Sequence, residues 1–261
     1  MTSNLLSRLA EKGSSVSPIL EKNVSQADFE LLFEQCKRVT PYLKGELGRS
    51  FKGMISQHGS NLPQIKSLYR ELQISTPEAE KVYWLTRSWD LLTWQPLYLA
   101  FVAIYNMKSL PNLGNMAQYH RGDLIAGFRF DNTECIQGDY EGLISRAGQQ
   151  LSQMFEHYRS ELDLWIRCRP GFVQHLLADA LLAKLIQVQQ RHREMTDGFI
   201  LHHAKLWLAA FNISDKHLAS LYLSKLDNKL RLSRTSCCSV YKTKSGVLCD
   251  NCPRLRRNKD V

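Results

Sequence analysis

Apolar residues recur at every third or fourth position through most of this chain. The first clear set, Phe29, Leu32, Phe33 and Cys36, would share one face of a helix, since residues three and four apart lie on the same side of an α-helix. Ser25-Gln-Ala-Asp28 stands just before this set and has the form of a capping box. The pattern therefore predicts an amphipathic helix that begins at Ser25.

The same period predicts further helices along the chain. One begins at Thr76-Pro77-Glu78, because proline is favoured in the first helical turn, and Pro96 is expected to bend or divide it. Two long helices follow on either side of Pro170-Gly171, and their short connection suggests an antiparallel hairpin. The helices predicted in this second half cover residues 143–165, 172–195, 197–211 and 215–230.

One segment has the composition of a strand. Residues 124–130 read LIAGFRF, and β-branched and aromatic residues favour the extended conformation. We therefore predict an all-α fold, or one nearly so, with one small strand pair near 124–130. The predicted organisation is an N-terminal extension (1–24), a helical body (25–230) and a C-terminal segment with a basic tail (231–261).

Residues 91–107 raise the question of a membrane span. This run of 17 residues carries no charge, but it is just short of the usual spanning length of about 18 to 20 residues. It also contains Thr93, Gln95, Pro96 and Asn106. The sequence favours a buried core helix, and the alternative is peripheral contact with a membrane.

The composition is that of an ordinary globular protein, with 44% hydrophobic and 23% charged residues among 261. The N-terminus lacks the basic stretch and apolar stretch of a secretory signal. Seven cysteines without such a signal indicate the cytoplasm, where thiols stay reduced. We expect a cytoplasmic protein, with peripheral contact at the inner face of the cytoplasmic membrane as the alternative.

Four cysteines stand close together near the C-terminal end. Cys237 and Cys238 are adjacent, and ten residues separate them from the pair Cys249-x-x-Cys252. A structural zinc site normally uses two C-x-x-C pairs, whereas adjacent side chains diverge and suit a larger object such as a 2Fe–2S cluster. The spacing favours iron–sulfur over zinc, and a disulfide framework fits an odd cysteine count badly. The other three cysteines are expected to be core residues: Cys36, Cys135 and Cys168.

This stretch resembles the C-terminal motif of a known family. Arg234-Thr-Ser-Cys237-Cys238-x-x-Tyr241, with Cys249-x-x-Cys252-Pro253 after it, is similar to the C-C-x10-C-x2-C motif of FhuF-type ferric-siderophore reductases. The likeness is specific over residues 234–253 and loose elsewhere. It implies a 2Fe–2S cluster with all four cysteines as ligands. It also implies one-electron reduction of siderophore-bound Fe(III) to Fe(II), with the siderophore bound by the helical body.

Most of the positive charge lies around the cysteines. From Lys225 to the end there are ten Lys and Arg against three Asp, which accounts for +7 of the net +9. Such a field attracts anions, so the expected partners are a carboxylate-bearing ferric siderophore and an acidic electron donor such as a ferredoxin. The basic residues nearest the motif are predicted to contact the siderophore or the electron donor. They are Arg231, Arg234 and Lys242.

Other functions stay open on the sequence alone. A four-cysteine zinc module would use the basic surroundings to bind nucleic acid, whereas the reductase hypothesis expects no nucleic-acid partner. An iron–sulfur redox sensor would need no substrate. No G-x-G-x-x-G occurs, so we expect electrons to come from another protein. Arg121 and Arg129 could meet siderophore carboxylates, although surface arginines are common. His202 and His203 are adjacent and are predicted to be a surface or packing pair.

Overall fold

The structure, a computed structural model, describes residues 20–23 and 25–256. Within these ranges it has seven α-helices and nine β-strands. The helices are α1 (Gln26–Val39), α2 (Leu62–Ser75), α3 (Lys81–Met107), α4 (Tyr140–Asp163), α5 (Pro170–Arg191), α6 (Asp197–Ala210) and α7 (Pro253–Arg256). The strands are β1 (Leu20–Asn23), β2 (Gly45–Leu47), β3 (Ile55–Ser56), β4 (Ser109–Pro111), β5 (Met116–Arg121), β6 (Leu124–Phe130), β7 (Glu134–Gln137), β8 (Leu221–Leu223) and β9 (Leu230–Leu232). Most of the predicted N-terminal extension, and residues 257–261 of the tail, lie outside the described residues.

The prediction of an all-α fold, or one nearly so, is wrong, because the chain has a mixed α/β architecture. Several strands are only two or three residues long, and such lengths are too short to show the alternation that reveals a strand. The longest strand, β6, is buried along most of its length, so it does not alternate either.

The strand predicted at 124–130 is confirmed as β6, but it has two partners. It lies in a four-stranded sheet of order β2-β6-β5-β3, parallel to β2 and antiparallel to β5. A second, antiparallel sheet has the order β1-β7-β4. These two sheets are formed mainly by the first half of the chain. The cysteine-bearing end packs on α5 and on the start of α3.

Helix α3 runs through the core, and the apolar run 91–107 forms its largely buried second part. Pro96 does not divide it. A proline inside a helix leaves the carbonyl four residues earlier without its usual N–H donor. Gln118 of β5 supplies the replacement, since its Nε2 donates to the carbonyl of Leu92 at 2.9 Å. The sheet thus satisfies the hydrogen bond that the proline removes.

The capping box at Ser25 is confirmed, with Ser25 as the N-cap of α1. The predicted helix start at Thr76-Pro77-Glu78 is wrong. There the chain forms a turn, in which the N–H of Ala79 donates to the carbonyl of Thr76 at 3.0 Å, and α3 begins at Lys81. Pro77 therefore belongs to a turn that precedes the helix, not to the first turn of the helix.

Two further expectations for the second half are corrected. Helix α6 packs closely against both α4 and α5, whereas α4 and α5 have little contact with each other, so the two long helices do not form a hairpin of their own. The predicted helix 215–230 is instead a 3₁₀ turn (Asp215–Ser220) followed by the hairpin β8–β9. Leu230 and Leu232 are buried while Arg231 between them is exposed. Asn228 in the connection has a φ of 51°, a left-handed conformation that suits a tight turn.

Candidate metal centre

Residues 234–252, here called the cysteine segment, are fixed to the body by one buried carboxylate on α5. Asp179 accepts hydrogen bonds from the backbone N–H groups of Thr235 at 3.0 Å and Ser236 at 2.7 Å. It also accepts from both hydroxyls and forms an ion pair with Arg234 at 3.7 Å. Because Cys237 follows directly, Asp179 determines where the cysteine pair enters the site.

The two ends of the segment are joined by a backbone contact. The N–H of Arg234 donates to the carbonyl of Asn251 at 3.0 Å, which places the arm that carries Cys237 and Cys238 beside the arm that carries Cys249 and Cys252. The N–H of Cys252 donates to the carbonyl of Cys249 at 2.9 Å, so the C-x-x-C pair forms a tight turn. The segment is therefore a closed loop with cysteines on both arms.

The far side of this loop is tightly folded and rests on the start of α3. A 3₁₀ turn (Val240–Lys242) is followed by Gly246, where a Cβ would lie 1.8 Å from the carbonyl oxygen of Val240. Lys242 forms an ion pair with Glu80, and Glu78 accepts from the N–H of Lys244 at 2.6 Å. Glycine is required at this close approach.

The structure brings two of the four cysteines into contact. The sulfurs of Cys238 and Cys249 lie 3.4 Å apart, close to the spacing of about 3.8 Å that two bonds of about 2.3 Å make at one tetrahedral metal. A disulfide would need about 2.05 Å, and all the cysteines are free. In the sequence, Cys237 is next to Cys238, and Cys252 follows Cys249 by three residues. Within the described part of the chain no three candidate ligands close around one point.

Four thiolates fit either an iron–sulfur cluster or zinc, because both accept ligand sets made only of cysteine. The chemistry of the donor set and the approach of Cys238 to Cys249 therefore fit a metal centre of either kind. The adjacent pair would serve different positions of such a cluster more easily than one small ion, since neighbouring side chains diverge.

The electrostatic environment differs between the two arms. Burial opposes ionisation of Cys237, but hydrogen bonds from Ser239 and Arg254 outweigh this effect and lower its pKa. Burial raises the pKa of Cys249 to about 11, and the neighbouring Cys238 adds to the increase. A bound cation favours the thiolate on both arms, since ligand thiols lose their protons on binding.

Each basic residue predicted to contact a partner has a carboxylate beside it. Arg231 of β9 donates to Asp227 at 2.9 Å and stays half exposed. Arg234 and Lys242 are held by the carboxylates described above, and their side chains are largely buried. Of the three, Arg231 is the one that the structure presents to solvent, and the other two hold the cysteine segment on the body.

A cluster of half-buried charges lies between α3 and α5, and sequence reasoning missed it. Burial raises the pKa of Asp90 to about 6, although Arg234, Arg87 and Lys184 partly offset the increase. Burial lowers the pKa of Lys184 to about 7, with Asp90 acting in the opposite direction. Charged residues inside mostly apolar helices were the signal, but sequence could not show that two distant helices bring them together.

The remaining candidates have structural roles. Cys36, Cys135 and Cys168 are buried in the core, as predicted. Arg129 pairs with Glu46 at 2.7 Å, and Arg121 lies over the ring of Tyr119. Of the two histidines, His202 is exposed and pairs with Glu141, while His203 is buried and bonds the hydroxyl of Tyr105 at 2.8 Å.

No protein-family model and no solved structure matches this chain. Among the described residues, α5 is the one helix that is long and apolar enough to cross a membrane, a property that core helices of soluble proteins share.

Proposed function

We propose that this protein is a ferric-siderophore reductase that releases iron by one-electron reduction of siderophore-bound Fe(III). The resemblance of residues 234–253 to the FhuF-type motif supports this activity. The observation that carries it is the contact between Cys238 and Cys249 across a loop that Asp179 fixes to the body. A 2Fe–2S cluster bound by the four cysteines would supply one-electron transfer.

The reaction asks little of the protein beyond electron transfer and binding. Siderophores bind Fe(III) through hard oxygen ligands, which hold Fe(II) far less well. The electron comes from a separate donor protein of the ferredoxin class and ends on the iron of the chelate. The Fe(II) that forms dissociates in the cytoplasm, and peripheral contact with the membrane would bring the protein to incoming chelate.

The residues around the cysteines perform three tasks in this proposal. Asp179 orients the Cys237–Cys238 arm through the backbone of Thr235 and Ser236. The hydrogen bonds of Arg254 and Ser239 favour the thiolate of Cys237. Hydrogen bonds to ligand sulfur tune the potential of such centres, so these two residues are the ones we expect to influence it.

The first test is the metal content of protein purified without oxygen. We expect a red-brown protein with about two irons and two sulfides per chain, and reoxidation of the reduced protein by a ferric siderophore as Fe(II) appears in a trapping chelator. Stoichiometric zinc without sulfide would instead support the zinc module, and a cluster that reduces no ferric siderophore would support the redox sensor.

Matched cysteine variants make the test specific. Serine at any of the four ligands should lose or severely weaken the visible spectrum, because a neutral hydroxyl replaces a thiolate poorly. Serine at Cys36, Cys135 or Cys168 should leave it intact, since these buried thiols lie in the core. Bleaching by Cys36→Ser together with an unchanged Cys238→Ser spectrum would overturn the ligand set.

A further inference from the structure

A large groove lies directly beside the cysteine segment. Its walls are the C-terminal half of α5 and the β8–β9 hairpin, and Asp250 and Asn251 close one side. Its volume is about 960 Å³, within the range of about 300–1,000 Å³ that is usual for ligand sites. Because Asp250 and Asn251 stand between Cys249 and Cys252, a ligand in this groove would lie against the C-x-x-C turn.

The charge inside the groove is balanced, unlike that of the segment as a whole. Three basic and three acidic side chains line it. Arg231 and Lys229 share Asp227, at 2.9 and 3.9 Å. Asp197 accepts from the side chain of Gln189 at 2.6 Å. A polyanion in this groove would therefore meet as many carboxylates as cations.

Carboxamides are the other common lining group. Three glutamines of α5 and two asparagines, Asn228 of the hairpin connection and Asn251, line the groove. Each carboxamide offers both donors and an acceptor. Such a surface can hydrogen-bond amide and chelating oxygen groups without requiring that the ligand carry net charge.

We propose that the ferric chelate binds in this groove, and that the groove favours chelates of low net charge over polyanionic ones. This inference rests on the proposed function and adds to it the place where the substrate binds and the charge class that is selected. The excess positive charge outside the groove is then left for the electron donor.

A second polar pocket provides the matched control. It has a volume of about 370 Å³ and is lined by Arg146 and Gln149 of α4 among others, with no residue of the cysteine segment. Gln149 and Gln190 are both exposed glutamines on long helices. Gln190→Trp adds bulk to the wall of the groove and Gln149→Trp adds the same bulk to the wall of the control pocket, and both positions lie outside the core.

The test measures binding and turnover separately. The probes are gallium(III) complexes of a hexadentate trihydroxamate, which is neutral, and of a hexadentate tricatecholate, which is a trianion. Gallium resembles Fe(III) in charge and size but is not reduced, so its binding can be measured by calorimetry on the protein as purified. The iron complexes of the same ligands then give kcat and KM, and ferricyanide serves as an acceptor that needs no groove.

We expect Gln190→Trp to weaken binding of the gallium trihydroxamate by about tenfold or more and to raise KM by a similar factor, with ferricyanide reduction unchanged. Gln149→Trp should change neither value. The wild-type protein should bind the neutral complex more tightly than the trianion.

Unchanged binding in Gln190→Trp, a larger loss in Gln149→Trp, or no binding of either gallium complex by the wild type would overturn the groove. Tighter binding of the trianion would overturn the charge preference. If the gallium complex binds and Gln190→Trp weakens it, but no ferric chelate is reduced, the groove stands as a chelate site and the reductase function fails.

Discussion

Asp179 shows how one residue can determine the position of the whole site. Its side chain is 2% exposed within a largely apolar helix, and a buried carboxylate is costly unless its oxygens are satisfied. Thr235 and Ser236 satisfy them through backbone N–H groups and hydroxyls. The cost of burial is thus offset only while the cysteine segment is docked.

The first prediction concerns this carboxylate. Asp179→Ala should reduce cluster occupancy sharply and destabilise the protein by about 3 kcal/mol, because it leaves two backbone donors without a charged acceptor. Asp163→Ala is the control, since Asp163 also accepts a backbone N–H, from Cys168 at 2.7 Å, away from the cysteine segment. The measurements are iron per chain and urea unfolding. Equal iron content in both variants would contradict a positioning role.

Asp90 gives a prediction in pH. Its pKa in the folded protein is about 6, above the ordinary value of about 4. Between these values the folded protein binds a proton that the unfolded chain has lost, so the contribution of Asp90 to stability falls as pH rises through this window. Lys184, with a pKa of about 7, titrates above it.

The free energy of unfolding of Asp90→Asn, relative to that of the wild type, should therefore be higher at about pH 7 than at about pH 4. The increase should be at most about 3 kcal/mol. The measurement is the free energy of unfolding in urea across this range. A difference between variant and wild type that does not change with pH would show that Asp90 has an ordinary pKa.

Among the elements, the loop between the two cysteine pairs depends on one close approach. Gly246→Ala would place a methyl group against the carbonyl of Val240, so the loop must open and the contact between Cys238 and Cys249 should be lost. We expect most of the visible spectrum and iron to be lost. Gly171→Ala is the control, because nothing lies within 4 Å of its added Cβ. A fully loaded Gly246→Ala protein would mean that the loop adapts.

The contribution of the hydrogen bond from Gln118 to the carbonyl of Leu92 in α3 can be measured with a double-mutant cycle. Gln118→Leu should destabilise the protein by about 1–3 kcal/mol, because the carbonyl of Leu92 loses its donor in the core. In a Pro96→Ala background, the restored backbone N–H can serve that carbonyl, so the loss should be smaller. Urea unfolding of the four proteins gives the coupling energy. Additive losses would show that Gln118 acts only through its other contacts.

The sequence predicted those elements whose signal is local. The capping box at Ser25, α6 and the strand at 124–130 depend on a few neighbouring residues, and so does the cysteine spacing. It failed where the partner is distant. The short strands β2 and β3 pair with β6 and β5, which lie far along the chain, and Asp179 meets the segment across 56 positions.

At the scale of the whole molecule, the proposed function would assign the positive charge and the groove to two different partners. The net charge around the cysteine segment is strongly positive, but the groove is balanced. Long-range attraction accelerates encounter with a large acidic protein more than with a neutral small chelate. The rate at which the donor reduces the protein should therefore depend on salt concentration. The rate at which the protein reduces a neutral chelate should not.

The last prediction tests this separation. Reduction of the protein by an acidic ferredoxin should slow markedly as salt rises above about 0.1 M, where the screening length is about 10 Å, while reduction of a neutral ferric trihydroxamate stays nearly constant. The variant Lys225→Glu/Lys244→Glu, at two exposed positions of the C-terminal region, should slow the first step and flatten its salt dependence. Lys52→Glu/Lys205→Glu makes the same change in net charge at exposed positions of the body and should have little effect. Equal slowing by both variants would mean that net charge alone attracts the donor. A strong salt dependence in the reduction of the neutral chelate would place the binding of that chelate outside the groove.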